Sequence, residues 1–396
     1  MVLQPTYPGT YVQETPSGAH PISGVTTAAT AFVGYVARGP LNTPVQCLNF
    51  GDFQRVFGGL DPNSVTSFQV SQFFLNGGTE AWVSRLQSPD GLIPTGFDVA
   101  GNPADRSGIY ALDAMDLVNL ILIPDMPAMG QSDYLTAATA TLNYAIQRKA
   151  FAILDMPNDI QTPAQAISWA MSTPGTFGKG IISAATYFPQ VQVPNPFSTQ
   201  PFQMGGSGTL AGIYALTDRN VGVWKAPAGI TAPLAGVQNL SCVMNDEKNG
   251  QIDSLGINAL RTFPIYDNVS WGARTLGAAN IADEGWKYIP ARRLALYIEQ
   301  SLIQGLQWVV FEPNDERLWA EIRLSVNGFL HPLYLQGALV GASPSQAYQC
   351  ICDASTTTPQ DVANGIVNIE VLFAPERPAE FLVITLQQAA GQSSNR

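Results

Sequence analysis

The sequence predicts an α/β fold: a mainly parallel sheet with flanking helices, plus an α+β C-terminal domain and extended N- and C-terminal arms. Three observations carry this. Short apolar runs alternate with helical stretches from Val25 to Phe188, which is the signature of β-α-β units. The last third holds two long helical stripes followed by two strands. Both ends of the 396-residue chain lie outside any run that could build a core of its own. The domain division that follows is 1–24 for the N-terminal arm, 25–277 for the α/β part, 278–375 for the C-terminal domain, and 376–396 for the C-terminal arm and tail.

The first 24 residues, MVLQPTYPGTYVQETPSGAHPISG, are punctuated by Pro and Gly and carry few apolar side chains. Within them Gly9, Thr10, Tyr11, Val12, Gln13 and Glu14 form a short β-prone piece without Pro, suited to adding an edge strand to another sheet. Ala31 to Val36 reads as a buried strand, stopped by Arg38-Gly39-Pro40. Phe50 to Phe57 and Val65 to Leu75 read as helices, each followed by a Gly-Gly pair. Ala81 to Leu86 is a strand. Ser88 to Ser107 reads as a loop and a point for insertions.

Leu117 to Ile123 is the next strand, and Asp133 to Lys149 a helix with Ser132 as N-cap and Leu135, Leu142 and Ile146 on one face. Phe151 to Leu154 follows as a strand. Thr162 to Ser172 opens with a capping box, Thr162 and Gln165 flanking Pro163 at the first helical position. Ile181 to Phe188 is a strand and Pro189 to Gly208 a loop. Leu210 to Leu216 fits a strand or a helix start equally well.

From Pro290 to Val309, Leu294, Tyr297, Ile298, Leu302, Leu306 and Val309 recur at helical spacing. Pro313-Asn314-Asp315-Glu316 opens a second helix, with acidic residues where the macrodipole favours them. Gly365 to Phe373 alternates, with Val367, Ile369, Val371 and Phe373 on one face. Phe381, Leu382, Val383, Ile384, Thr385 and Leu386, with Glu380 before them, are apolar on both faces. Such a strand belongs in a sheet interior, and at a free edge it would invite aggregation. The sheet could be this chain's own or a neighbour's. The composition and the arm-like N-terminus favour donation to a neighbour.

Composition narrows the function classes. Charged residues are 12% of the chain, against 46% hydrophobic, with 36 Gly and 29 Pro; an ordinary soluble domain carries about 25% charged residues. So little charge suits a surface that faces protein, as in an assembly subunit. A net charge of −11 gives nothing to phosphate neutralisation, so no nucleic-acid partner is expected. No run approaches a membrane span, and no secretory signal is evident. Assembly in the cytoplasm is therefore expected, with any release as part of a whole particle. Four cysteines and two histidines make neither a disulfide scaffold nor a metal site. There is no GxSxG elbow, and His20 and His331 each precede a proline. Gly205-Gly206-Ser207-Gly208 lacks the Lys-Ser/Thr of a P-loop and reads as a flexible loop. Asp246-Glu247 reads as a solvated turn. No catalytic residue, cofactor or metal is expected.

Five segments resemble the contractile tail sheath family of phages and phage-derived injection systems. They are PTYPGTYVQE with TAATAFVGYVARGP, AGIYALTDRNVGVWKAPAG, LGINALRTFPIYDNVSWGARTLG, YIPARRLALYIEQSLIQGLQWVVFEPNDERLW and FAPERPAEFLVITLQQ. They run in order across nearly the whole chain. The resemblance implies a structural subunit that polymerises with itself as stacked hexameric rings around an inner tube. It implies contraction that drives the tube through a target envelope, with arms of neighbours joining a C-terminal sheet. Partners implied are the inner tube, baseplate and terminator proteins, and a second sheath paralogue in some systems, without direct membrane insertion. The lack of a large insertion looks more like an injection-system sheath than a large phage sheath. Asp315, Glu316, Arg317, Glu321 and Arg323 are dense charges for so uncharged a chain, and are expected near the tube; a solvated helix face fits them nearly as well. The alternatives from other classes are an α/β hydrolase and a non-contracting tube or baseplate component.

Overall fold

A computed structural model describes residues 20–88, 93–279 and 284–380. The strands are β1 (Thr30–Gly34), β2 (Val45–Cys47), β3 (Ala81–Arg85), β4 (Leu120–Leu122), β5 (Phe151–Leu154), β6 (Ala184–Phe188), β7 (Val191–Val193), β8 (Phe202–Met204), β9 (Asn239–Leu240), β10 (Ile257–Phe263), β11 (Asp267–Ser270), β12 (Tyr348–Ile351) and β13 (Glu370–Phe373). The helices are α1 (Phe50–Phe57), α2 (Val65–Leu75), α3 (Gly96–Ala100), α4 (Gln131–Gln147), α5 (Pro163–Ser172), α6 (Ser207–Asn220), α7 (Asp246–Asp253), α8 (Ile289–Gly305), α9 (Glu316–Leu335), α10 (Pro344–Ala347) and α11 (Pro359–Ala363).

Eight strands form the main sheet in the order β11-β10-β6-β5-β4-β1-β3-β2. The six central ones are parallel, and β2 and β11 pair antiparallel at the edges. Side chains alternate as the pleat demands. Ala31, Val33, Ile121, Ala152 and Leu154 face one layer with α3, α4 and α5. Phe32, Leu120, Leu122, Phe151 and Ile153 face the other, with α1, α2, α6 and part of α8. A third cluster builds the C-terminal region from α8, α9 and the strip β12-β13.

The expected α/β architecture with a separate α+β region is what the chain forms, and several details differ from the sequence reading. Residues 88–107 contain α3, started by a capping box of Thr95 and Asp98. Residues 189–208 contain β7 and β8, which join β9 in a three-stranded antiparallel sheet. The N-cap of α4 is Gly130 rather than Ser132; Asp133 instead accepts the Gly96 N–H at 2.9 Å. Ile146 is exposed because Tyr144 and Ala145 turn inward in its place. Residues 174–183 form a 3-10 segment, so β6 starts at Ala184. Asp246 and Glu247 begin α7, capped by Asn245. Pro332 sits inside α9, which continues to Leu335.

The largest difference concerns the glycine run. Ser207 starts α6, a buried helix packed on α2. Side chains at Gly208 and Gly212 would collide with the backbone carbonyls of Gln69 and Phe73. The glycines thus permit two helices to approach closely; they do not loosen a loop.

Where β1 and β4 diverge in connection, the C-terminal ends of the parallel strands open a crevice that α/β proteins commonly use for ligands. Here it is filled. Asp125, after β4, accepts the Tyr35 N–H at 2.5 Å and the Thr66 hydroxyl at 3.4 Å. Gly34 leaves room for it, since a side chain there would strike Asp125 and Thr66. Burial pushes the Asp125 carboxyl up to about 7, against the lowering by its two donors. A raised carboxyl pKa means the folded state holds the proton longer than the unfolded one. Its contribution is therefore complete below pH ~4 and is lost as pH rises through about 7. Asp125→Asn is expected to remove that slope. Urea titrations between pH 5 and pH 8 should show the wild type losing its advantage over the variant as pH rises. A constant difference would count against a buried, protonatable Asp125.

Candidate functional site

Two features of the described residues are candidates for assembly: the C-terminal strip and the charged face of α9. β12 and β13 pair antiparallel, Tyr348 opposite Phe373 and Ile351 opposite Glu370. Val367, Ile369, Val371 and Phe373 pack on the third cluster, as their alternation predicts. Leu372 stays 48% exposed on the other face. Among the described residues the strip has only these two strands, so each has an edge without a strand partner. Ala374 N–H bonds Ala347 C=O at 2.9 Å. Antiparallel bonding alternates, so Leu372 and Glu370 continue that bonded row and the N–H groups of Val371 and Phe373 point to the open edge. A groove of about 770 Å³, lined by Trp286, Val340, Val371, Leu372 and Phe373 among others, borders the strip.

Gly9 to Glu14 and Phe381 to Leu386, expected as exchanging strands, lie outside the described residues. Their roots do not. His20 stacks on Trp308 with centroids 3.9 Å apart, and its N–H reaches the Ser325 hydroxyl at 3.1 Å. Ile22 is buried beside Gly305. The chain therefore lies across α8 and α9 before it enters β1. At the other end, residues 374–376 are held: Val340 N–H bonds Ala374 C=O, and Glu376 N–H bonds Ala338 C=O. Ala374 to Pro378, which links the strip to the C-terminal arm, is thus tied down in its first half, because strip and link share one ladder with Leu339.

On α9, Asp315 is the N-cap and accepts the Leu318 N–H at 3.0 Å. Arg317 pairs with Glu321 at 3.2 Å and Arg323 with Glu316 at 2.8 Å; Arg323 also donates to the Cys352 carbonyl. Four of the five charges therefore pair among themselves. Arg317 is the most exposed of these four. The structure brings these residues onto one helix, and Arg323 also lies near the Asp353 carboxylate in the turn after β12.

Sequence reasoning missed the buried polar network that joins α6 to α8. Arg293 forms a two-pronged ion pair with Asp218 at 2.8 and 2.7 Å, both side chains 4% exposed. Arg293 also donates to Thr27 C=O at 2.9 Å and stacks over the Tyr214 ring, whose hydroxyl meets Tyr187 at 2.7 Å. Burial raises both phenols. Beside it, Gln300 bonds Asn119, Val118 C=O and Arg148 C=O. α8 is therefore buried on two faces, and only the apolar one has a periodic signal. A signal was present in the pairing of AGIYALTD with YIPARR, two of the five long segments.

A second network sits at the head of α6. Asp155, after β5, accepts the Ser207 hydroxyl at 2.5 Å and its N–H at 3.0 Å, and Gln69 at 2.9 Å. Burial raises the Asp155 carboxyl although every hydrogen bond acts against that rise. No histidine joins this pair: His331 lies on α9, bonded to Tyr348, and His20 on Trp308. Cys47, Cys350 and Cys352 are buried with thiols pushed up to about 11, which makes them poor nucleophiles. No group of three or more potential metal ligands occurs among the described residues.

Residues 282–389 match the family described as phage tail sheath C-terminal domain. A prophage major tail sheath protein of Pseudomonas aeruginosa (strain UCBPP-PA14) is 26% identical over 314 residues, covering 75% of this chain and 73% of that protein. The helical sheath of the anti-feeding prophage in its contracted state superposes with a TM-score of 0.76 at 28% identity, over 96% of this chain and 99% of that one. Over nearly its whole length the chain is built as a contractile sheath subunit. A sheath subunit of the PVC extracellular contractile injection system, also contracted, shares the fold with a TM-score of 0.76 at 24% identity, over 98% and 99% of the two chains. This sheath subunit is therefore a structural protein, and its α/β part with a small-sheet C-terminal region is the sheath fold. No helix among its described residues is long and apolar enough to cross a membrane.

Proposed function

We propose that this sheath subunit polymerises as stacked hexameric rings around an inner tube and contracts to drive the tube through a target envelope. It does so within a phage-tail-like injection system. The observation that carries the proposal is the two-stranded strip β12-β13, whose edges have no strand partner among the described residues. Strands Gly9 to Glu14 and Phe381 to Leu386 of neighbouring subunits complete it. Backbone hydrogen bonds then link subunits while the bodies between them rotate. Energy for the stroke is stored at assembly, in an extended state that is metastable relative to a contracted one with more buried surface. The subunit has no catalytic role and needs no cofactor. It assembles in the cytoplasm, as part of a particle that is released or anchored, with baseplate and terminator proteins at its ends.

The domains follow the division given above, with 278–375 carrying the acceptor strip. In this reading Asp315, Glu316, Arg317, Glu321 and Arg323 line the sleeve's inner wall against the tube. Reversing Glu321 and Arg323 would set two pairs of like charges, against Arg317 and Glu316, whereas Arg317→Glu, at the most exposed member, sets one, against Glu321, and is the milder probe. Co-sedimentation with tube tests both parts. Full-length subunit is expected to pellet as sheath, a chain lacking residues 1–17 to stay folded and soluble, and Arg317→Glu to pellet less on tube. Normal sheaths from the truncated chain would sink the arm's role. Unchanged assembly of Arg317→Glu on tube would leave α9 a solvated face.

A further inference from the structure

Arg274 lies between β11 and α8 and is 7% exposed. Its Nε and Nη2 donate to the two carboxylate oxygens of Glu380 at 2.8 and 2.6 Å. Nη2 also meets the Asp253 carboxylate at 2.8 Å, and Nη1 the Asp253 carbonyl at 2.9 Å. The Tyr288 hydroxyl donates to Glu380 at 3.1 Å. Arg274 thus has a counter-ion in Asp253 without Glu380. A second carboxylate so close is costly, and the Asp253 carboxyl is raised by burial and then by Glu380, against the lowering by Arg274. Burial acts to raise the Glu380 carboxyl, but Arg274, Tyr288 and nearby Lys287 together hold it below its ordinary value, so the pair is kept ionised.

Position gives it a use. Glu376 is tied to Ala338 of the C-terminal region. Four residues on, Glu380 is tied to the α/β part, and the intervening chain lines a groove of about 690 Å³ with Trp224 and Trp271. The next residue, Phe381, begins the segment that is apolar on both faces. We infer that Arg274 and Glu380 anchor the root of the C-terminal arm, making Arg274 a positioning residue that sets where and in which direction the arm leaves the subunit. The arm's reach is then measured from the α/β part, so a rotation of that part carries the root with it. This rests on the proposal that the arm is donated to a neighbour.

The test uses full-length subunits: wild type, Glu380→Gln, Asp253→Asn, which leaves the pair intact, and Ile384→Pro, which disables the arm itself. Sedimentable sheath, melting temperature and hydrogen exchange over 374–388 are measured for each. Glu380→Gln trades a two-pronged charge-assisted contact for a neutral one, and roughly tenfold less sheath is expected. Its melting temperature should stay as in wild type while exchange over 374–388 speeds up. Asp253→Asn should assemble normally. If Glu380→Gln assembles at wild-type yield while Ile384→Pro does not, the anchor is overturned and arm donation stands. Normal sheath from Ile384→Pro overturns arm donation, and the anchor with it. A lower melting temperature for Glu380→Gln with unchanged exchange would make the pair an ordinary stabilising contact and also overturns the anchor.

Discussion

Asp218→Ala is expected to cost about 3–5 kcal/mol of folding stability, because it leaves the Arg293 guanidinium buried without its carboxylate. Both side chains are 4% exposed, so water cannot replace the lost partner. The remaining contacts of Arg293 are one carbonyl and one ring face, neither of which balances a charge. The expected damage is wide, since α6, α8 and the entry to β1 all meet here. Urea denaturation reads the loss. Replacing both residues by apolar ones of similar size, Asp218→Leu with Arg293→Met, should recover much of it, as buried pairs are often dispensable together. A single substitution costing under about 1 kcal/mol would mean that solvent reaches the pair.

Ile384→Pro is expected to abolish sheath formation while leaving a soluble, folded subunit. Seven residues from Glu380 to Leu386 span roughly 23 Å as a strand, enough to run along the whole open edge of β13. Proline removes one ladder donor and fixes φ, which an interior strand tolerates badly. If the strand is lent to a neighbour, circular dichroism and limited proteolysis of the variant should match wild type. A molten C-terminal region in the variant would mean that the strand belongs to the chain's own core.

The parallel sheet was legible because each strand is an apolar run between a Gly or Pro stop and an amphipathic helix. β5 and α2 match their expected bounds, and Thr162 and Gln165 make the capping box their spacing predicts. β7 and β8 were not legible. They are three residues each, too short for alternation to register, and prolines and glycines surround them. The helix α6 was ambiguous because its glycines serve close packing on α2, and single-sequence propensity counts them only as breakers. The polar network around Arg293 was hidden for a related reason. A helix buried on two faces shows periodicity only on the apolar one, so nothing in the pattern singles out Arg292, Arg293 and Gln300. Of the candidate residues, Val367, Ile369, Val371 and Phe373 fall on one packed face as expected. The pairing of Arg317 with Glu321 is ordinary i,i+4 helical spacing, and sequence could have shown it; Arg323 reaches Glu316 across two turns, which that spacing does not show.

Electron cryomicroscopy of the assembled particle, before and after triggering, tests the central claim most directly. A wide, ridged cylinder that shortens and thickens is expected, with the strip β12-β13 flanked in both states by strands from neighbouring subunits. A narrow cylinder of fixed length, or Phe381 to Leu386 returning to a sheet of its own chain, would contradict the account.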